Sequence, residues 1–307
     1  MNKISVFTFI LVIFFSCENT KKKKQKTHLK SEYKEIITNS YVISKPLENF
    51  KEVLVLFPGF SHKAEDTKQE FKINKIAKQN SIAVVYMNFN HKLWLEKNEK
   101  LKLSKQLQNL FLENELPTNN IYIGGYSSGG NVSLIISSFL NENKEYNLMP
   151  KGVFIVDSPI DLIALYQSSK KNLKKNFSEV SINESSWIIE TLEKQIGNPK
   201  NDILKYQQLS TFTSETNNID NLIGLKNTNI RLYTEPDTLW WKKNRMADYD
   251  QLNSSHIKKL SKKLKESGFN QVEYIATVNK GYRANGDRHP HSWSIVDKQE
   301  LIKWITQ

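Results

Sequence analysis

From about residue 34 onward, short unbroken apolar runs alternate with stretches whose apolar residues recur every three or four positions. The runs are Val53-Leu54-Val55-Leu56-Phe57, Ile82 to Met87, Ile121-Tyr122-Ile123 and Val153-Phe154-Ile155-Val156, and Ile230 to Thr234 and Val272 to Val278 read as two more strands. A run without polar alternation reads as a strand covered on both faces. Ile36-Ile37 and Tyr41-Val42-Ile43 read as a hairpin ahead of them. Between the runs, residues 66–79 carry Ile73, Ile76 and Ala77 on one side of a predicted helix. Leu103, Leu107, Leu110 and Phe111 keep helical spacing, and so do Val132, Ile135, Ile136 and Phe139. Ile257, Leu260 and Leu264 mark a helix closed by Gly268, and a last helix is predicted over roughly 294–305. Such alternation predicts an α/β domain, a mostly parallel sheet with helices on both faces. Residues 160–226 break it. This polar stretch holds at least one helix, with Ser181 and Glu184 at capping-box spacing and Gly197 followed by Pro199 as its stop. It reads as a small helical cap inserted over the sheet.

The N-terminus follows another pattern. Met1-Asn2-Lys3 is a short positive segment, and Ile4 to Phe15 is a charge-free run of twelve residues. As a helix that run spans about 18 Å, against ~30 Å for a bilayer core, so it reads as a signal segment. It ends in Phe14-Phe15-Ser16-Cys17. A small residue followed by Cys at this point resembles a bacterial lipoprotein signal. That resemblance implies that Cys17 takes a diacylglyceryl group and becomes the mature N-terminus. Phe14 stands where Leu is usual. Residues 17–31 are polar and Lys-rich and read as a flexible tether. The expected organisation is a signal peptide over 1–16, a tether over 17–31 and one α/β domain over 32–307. The protein is expected at the cell envelope, its membrane partner reached through the anchor.

The 307 residues carry a net charge of +12, and only four of the 44 basic residues are arginine: Arg231, Arg245, Arg283 and Arg288. Specific nucleic-acid recognition leans on the arginine fork, so the charge reads as solvated surface, with weak attraction to anionic surfaces at Lys21 to Lys24 and no nucleic-acid partner. A single cysteine excludes an intramolecular disulfide and a cysteine-based zinc site.

The chemistry concentrates at Gly125-Tyr126-Ser127-Ser128-Gly129, a G-x-S-x-G pentapeptide between the strand at 121–123 and the helix that follows. A strand that reverses into a helix there strains the central residue and exposes the Ser127 hydroxyl at the carboxyl end of the sheet. The helix start behind it aims N–H groups at developing negative charge. In motif and order of elements, residues 34–307 resemble the α/β-hydrolase superfamily, in its esterase and dienelactone-hydrolase-like branches. The resemblance implies a serine hydrolase acting on carboxylic esters, with a small-molecule ester substrate and no cofactor or metal.

The superfamily order is Ser, acid, His. It implies His291 as base, opening into the last helix, with His289 as the alternative. It implies Asp237, in Glu235-Pro236-Asp237 after the strand at 230–234, as acid. Glu235 and Asp157 stay open as alternatives, with Asp161 a weaker one, because acidic residues beside proline also make turns. Oxyanion donors would be the backbone N–H groups of Phe60 and Ser128, although Pro58 replaces the usual His before Gly59. Tyr126, Trp240 and Trp241 are candidates for the pocket wall as well as for packing. Two rivals remain: a metal-assisted hydrolase using Asp287, His289 and His291, which leaves Ser127 unexplained, and a non-catalytic envelope lipoprotein on a hydrolase scaffold.

Overall fold

A computed structural model describes residues 32–307. The signal peptide, the Cys17 lipidation site and the tether lie outside the described residues.

The strands β1 (Tyr33–Ile37) and β2 (Tyr41–Pro46) form the expected antiparallel hairpin. The apolar run β3 (Val53–Phe57) follows, then helices α1 (Ala64–Phe71) and α2 (Asn74–Gln79), strand β4 (Ala83–Met87) and helix α3 (Lys97–Glu113). Next come β5 (Ile121–Tyr126), α4 (Ser128–Glu142) and β6 (Pro150–Val156). Three helices, α5 (Leu162–Lys175), α6 (Glu179–Gln195) and α7 (Ile203–Leu209), precede β7 (Asn229–Thr234). The chain closes with α8 (Thr238–Arg245), α9 (Asn253–Glu266), β8 (Val272–Ala276) and α10 (Lys298–Ile305).

The eight strands form one sheet in the order β1-β2-β4-β3-β5-β6-β7-β8, parallel from β4 to β8. Alternate residues of β3 leave it on opposite sides, which is why the run has no polar position. Leu54 and Leu56 join Tyr122, Phe154, Trp293 and Trp304 in one buried cluster, and Val53, Val55 and Phe57 join Leu107, Phe111, Ile123 and Ile136 in another. Each such side chain contributes about 1.5–3 kcal/mol by leaving water. The order reverses at β3, with β4 on one side and β5 on the other. A parallel sheet opens a crevice at the carboxyl ends of its strands at such a point.

Several local readings need correction. The single helix predicted over 66–79 is two, because Lys72 takes a left-handed conformation with φ 51° after α1. Phe71 and Ile73 are both buried, and residues two apart cannot share one helix face. In the 160–226 stretch, α6 begins three residues before the expected start: Ser178, not Ser181, is the N-cap, its side chain accepting from Ser181 N. Helix α8 was not foreseen. Its N-cap is Asp237, which accepts from Trp240 N at 2.9 Å. The last helix starts at Lys298, capped by Asp297, after a separate short turn at Trp293–Ile295.

Candidate active site

The pentapeptide sits on the sharp reversal from β5 to α4. Ser127 has φ 53° and ψ −126°, a conformation L residues rarely adopt, and holding it costs on the order of 1–3 kcal/mol. Neighbouring backbone enforces it. Ser127 N donates to Val156 O at 3.0 Å, tying the turn to the end of β6. A Cβ at Gly125 would lie 2.1 Å from Gly129 O, and one at Gly129 would lie 2.2 Å from Pro58 O. The turn therefore closes only with glycine at both positions, wedged against the loop after β3.

His291 stands beside this turn. Its ring centroid is 4.6 Å from that of Tyr126, whose hydroxyl donates to the His291 carbonyl at 2.9 Å. His291 Nδ1 lies 2.7 Å from Asp157 Oδ2. Facing a carboxylate, Nδ1 carries the proton and leaves Nε2 as an acceptor. Asp157 is itself fixed on three sides. Thr234 Oγ1 donates to Asp157 Oδ1 at 2.7 Å, Asp157 N donates to Tyr233 O, and Asn253 Nδ2 donates to Asp157 O. The residue is buried and has φ 47°. Among the described residues no hydrogen bond joins Ser127 Oγ to His291; such contacts often tighten only when substrate binds.

Asp237, the first choice for the acid from sequence, is not at either histidine ring. Besides capping α8, it holds Arg288 at 2.6 Å. Glu235 is buried and holds the same guanidinium at 2.5 Å, while accepting from Thr277 Oγ1, Lys280 N and Gly281 N. Both carboxylates are thus consumed in anchoring the segment that carries His289 and His291. The physical reason is burial: an ionised Glu235 needs a cation, and Arg288 supplies it. Asp161 is the N-cap of α5 and also accepts from Ser214.

His289 takes a different position from His291. Its ring packs on Trp240 and Trp241 with centroids 4.7 and 5.8 Å away, and its buried Nδ1 has no partner among the described residues. Burial, with Arg283, His291 and Arg245 nearby, pushes it down to about 3, so it stays neutral at ordinary pH. Asp287 is exposed and accepts from Asn285 Nδ2 at 2.8 Å. Among the described residues no three His, Cys, Asp or Glu side chains converge to hold a metal ion, so the arrangement of Asp287, His289 and His291 expected by the metal-assisted rival is not formed.

The loop after β3 reaches the serine. A Cβ on Gly59 would stand 3.6 Å from Ser127 Cβ and 3.0 Å from the Tyr126 ring. The Phe60 carbonyl accepts from His91 N at 2.7 Å, which holds the peptide that follows Phe60, and no hydrogen bond among the described residues takes up the Phe60 or Ser128 N–H. The Phe60 ring packs on Trp187 of α6 at 4.5 Å, linking the loop to the inserted helices.

No protein-family model matches the chain, and no curated protein matches it in sequence. Solved structures do. MPT51 (FbpC1) of Mycobacterium tuberculosis matches with a TM-score of 0.55 at 12% identity, over 90% of this chain and 98% of that one. FphF, a fluorophosphonate-binding serine hydrolase of Staphylococcus aureus, matches at 0.52 and 12% identity, over 90% and 99% of the two chains. The Francisella virulence factor BioJ matches at 0.51 and 16% identity, over 90% and 84%. With the sheet order and the elbow, these likenesses decide the architecture. The chain has the α/β-hydrolase fold. Shared shape at such identity carries the fold alone, and activity has to come from the site.

In this α/β-hydrolase domain a cavity of about 310 Å³ is lined by Ser127, Asp157, His289 and His291 together with residues of α5, α6, α8 and α9. Trp241 is in the wall, as the sequence allowed. Tyr126 is buried, its hydroxyl pushed up by burial. Sequence reasoning missed Thr234 and Asn253, which hold Asp157, and Arg245 and Arg283, which line the cavity. Only the scarcity of arginine in a lysine-rich chain could have pointed to the last two.

Proposed function

We propose that this chain is a serine hydrolase of carboxylic esters, with Ser127 as nucleophile, His291 as base and Asp157 as the acid that orients it. The observation that carries this reading is the 2.7 Å contact between Asp157 and His291 Nδ1 beside a serine held at φ 53° on a strand-to-helix elbow. His291 Nε2 takes the hydroxyl proton as Ser127 Oγ bonds to the ester carbonyl carbon. The carbonyl oxygen gains negative charge and accepts from the N–H groups of Phe60 and Ser128. As the tetrahedral species collapses, His291 returns the proton to the departing alkoxide and an acyl-serine remains. Water then repeats the sequence and frees the acid. Asp157 keeps Nδ1 protonated and stabilises the transient imidazolium.

The test is direct. The protein is expected to hydrolyse p-nitrophenyl acetate and to lose that activity after treatment with a fluorophosphonate. A chain inert towards esters, and unmodified by the reagent, is a non-catalytic α/β-hydrolase scaffold, and the proposal fails.

The N-terminal pattern supports a second part of the reading: attachment through a diacylglyceryl group on Cys17, at the cell envelope. Wild-type protein is expected in the membrane fraction with incorporated radiolabelled palmitate. Cys17→Ser should lose the label; a variant that keeps it would place the lipid elsewhere.

A further inference from the structure

Two of the chain's four arginines open onto the cavity that holds Ser127 and His291. The other two are neutralised: Arg231 pairs with Glu273 at 3.1 Å and Arg288 with Glu235 and Asp237. Arg245 and Arg283 have no carboxylate within ion-pair distance among the described residues. Arg283 is aimed rather than free. Its Nη1 donates to Tyr126 Oη at 3.1 Å, and its guanidinium lies 5.9 Å from the centre of the Tyr126 ring. Tyr126 in turn holds the carbonyl of His291. This positions a cation against the catalytic elbow itself. Arg245 ends α8, where a lysine would suit the helix terminus equally. A chain this rich in lysine that uses arginine here presents a planar fork, which matches an oxoanion with two parallel hydrogen bonds.

The rest of the lining agrees. Ser168, Asn172 and Gln251 form a hydrogen-bonded polar wall, with Gln251 Nε2 donating to Asn172 Oδ1 at 3.0 Å. Such a wall suits a hydrophilic substrate better than a long acyl chain. Apart from the Asp157–His291 pair, the ionisable side chains on the cavity are Arg245, Arg283, Glu184 and His289. With both histidines neutral, Asp157 and Glu184 balance the two arginines in formal charge, but Asp157 is held by His291 and Thr234 and neither carboxylate pairs with Arg245 or Arg283. A singly charged carboxylate disturbs that balance less than the double charge of a phosphate monoester.

We propose that the cavity selects esters bearing a carboxylate, bound by Arg245 and Arg283 while the ester carbonyl lies at Ser127. The substrate assignment rests on the hydrolase reading; the carboxylate site does not. Two measurements separate them. The first compares p-nitrophenyl hemiglutarate with p-nitrophenyl valerate, which has the same number of acyl carbons and no charge. The wild-type ratio of kcat/KM is expected to favour the hemiglutarate by roughly tenfold or more, to fall towards one in Arg245→Gln and in Arg283→Gln, and to shrink with added salt. A ratio is independent of how much of each variant folds. The second is calorimetric binding to the Ser127→Ala protein, which needs no turnover. Monomethyl glutarate is expected to bind at least tenfold more tightly than dimethyl glutarate, and Arg245→Gln to remove the difference. If neither ester is hydrolysed and monomethyl glutarate still binds through Arg245, the carboxylate site stands and the hydrolase reading falls. If both esters are hydrolysed with a ratio near one, and the two glutarates bind alike, the carboxylate site is overturned and the hydrolase reading stands.

Discussion

Ser127→Ala is expected to lower kcat for p-nitrophenyl acetate by on the order of 10⁴-fold or more, leaving only the residual rate that the oxyanion donors and substrate binding supply. The variant removes one oxygen and nothing else the fold depends on. The elbow is set by Gly125 and Gly129 against Pro58, and by Ser127 N on Val156 O, all of which alanine keeps. The thermal midpoint should therefore move little, and a circular dichroism melt beside the assay separates lost chemistry from lost structure. Activity within tenfold of wild type would mean that another group attacks the ester.

The second large effect is at the acid. Asp157→Asn is expected to cost about 10³–10⁴-fold in kcat. Asparagine keeps the shape, and its oxygen can still accept from Thr234 Oγ1. Its amide then faces His291 Nδ1 with donors, so the ring is driven to the tautomer whose Nε2 bears a proton and cannot act as base. Asp237→Asn provides the contrast. It loosens one of two carboxylates on Arg288 and leaves Glu235, at 2.5 Å, in place. Its loss should stay within about tenfold. Steady-state kinetics on both variants decides the acid: a greater loss in Asp237→Asn would contradict the assignment to Asp157.

The contrast between these two aspartates shows where sequence reading ends. Both follow a strand and both have turn-forming neighbours, so local pattern does not separate them. What separates them is Arg288, fifty-one residues beyond Asp237, and Thr234 and Asn253, which reach Asp157 from β7 and the start of α9. None of these pairings has a periodic signal. The strands, by contrast, were legible because burial on both faces leaves Val53–Phe57 and Val153–Val156 wholly apolar. The elbow was legible because its steric demand falls on neighbouring residues as glycine. Helix α8 was hidden because Glu235-Pro236-Asp237 reads as a turn until Asp237 is seen to cap it. The break between α1 and α2 was hidden because a left-handed lysine leaves no mark in composition. Arg245 and Arg283 were visible only as rare letters, with no way to bring them to one cavity before the chain is folded.

Covalent trapping tests, without a known substrate, whether Ser127 is the nucleophile. The wild-type chain would be treated with a fluorophosphonate, digested, and its peptides sequenced by mass spectrometry. One adduct is expected, on Ser127 within Gly125-Tyr126-Ser127-Ser128-Gly129, absent from Ser127→Ala and strongly slowed in His291→Ala but not in His289→Ala. An adduct on any other residue, or one that persists in Ser127→Ala, would contradict the account.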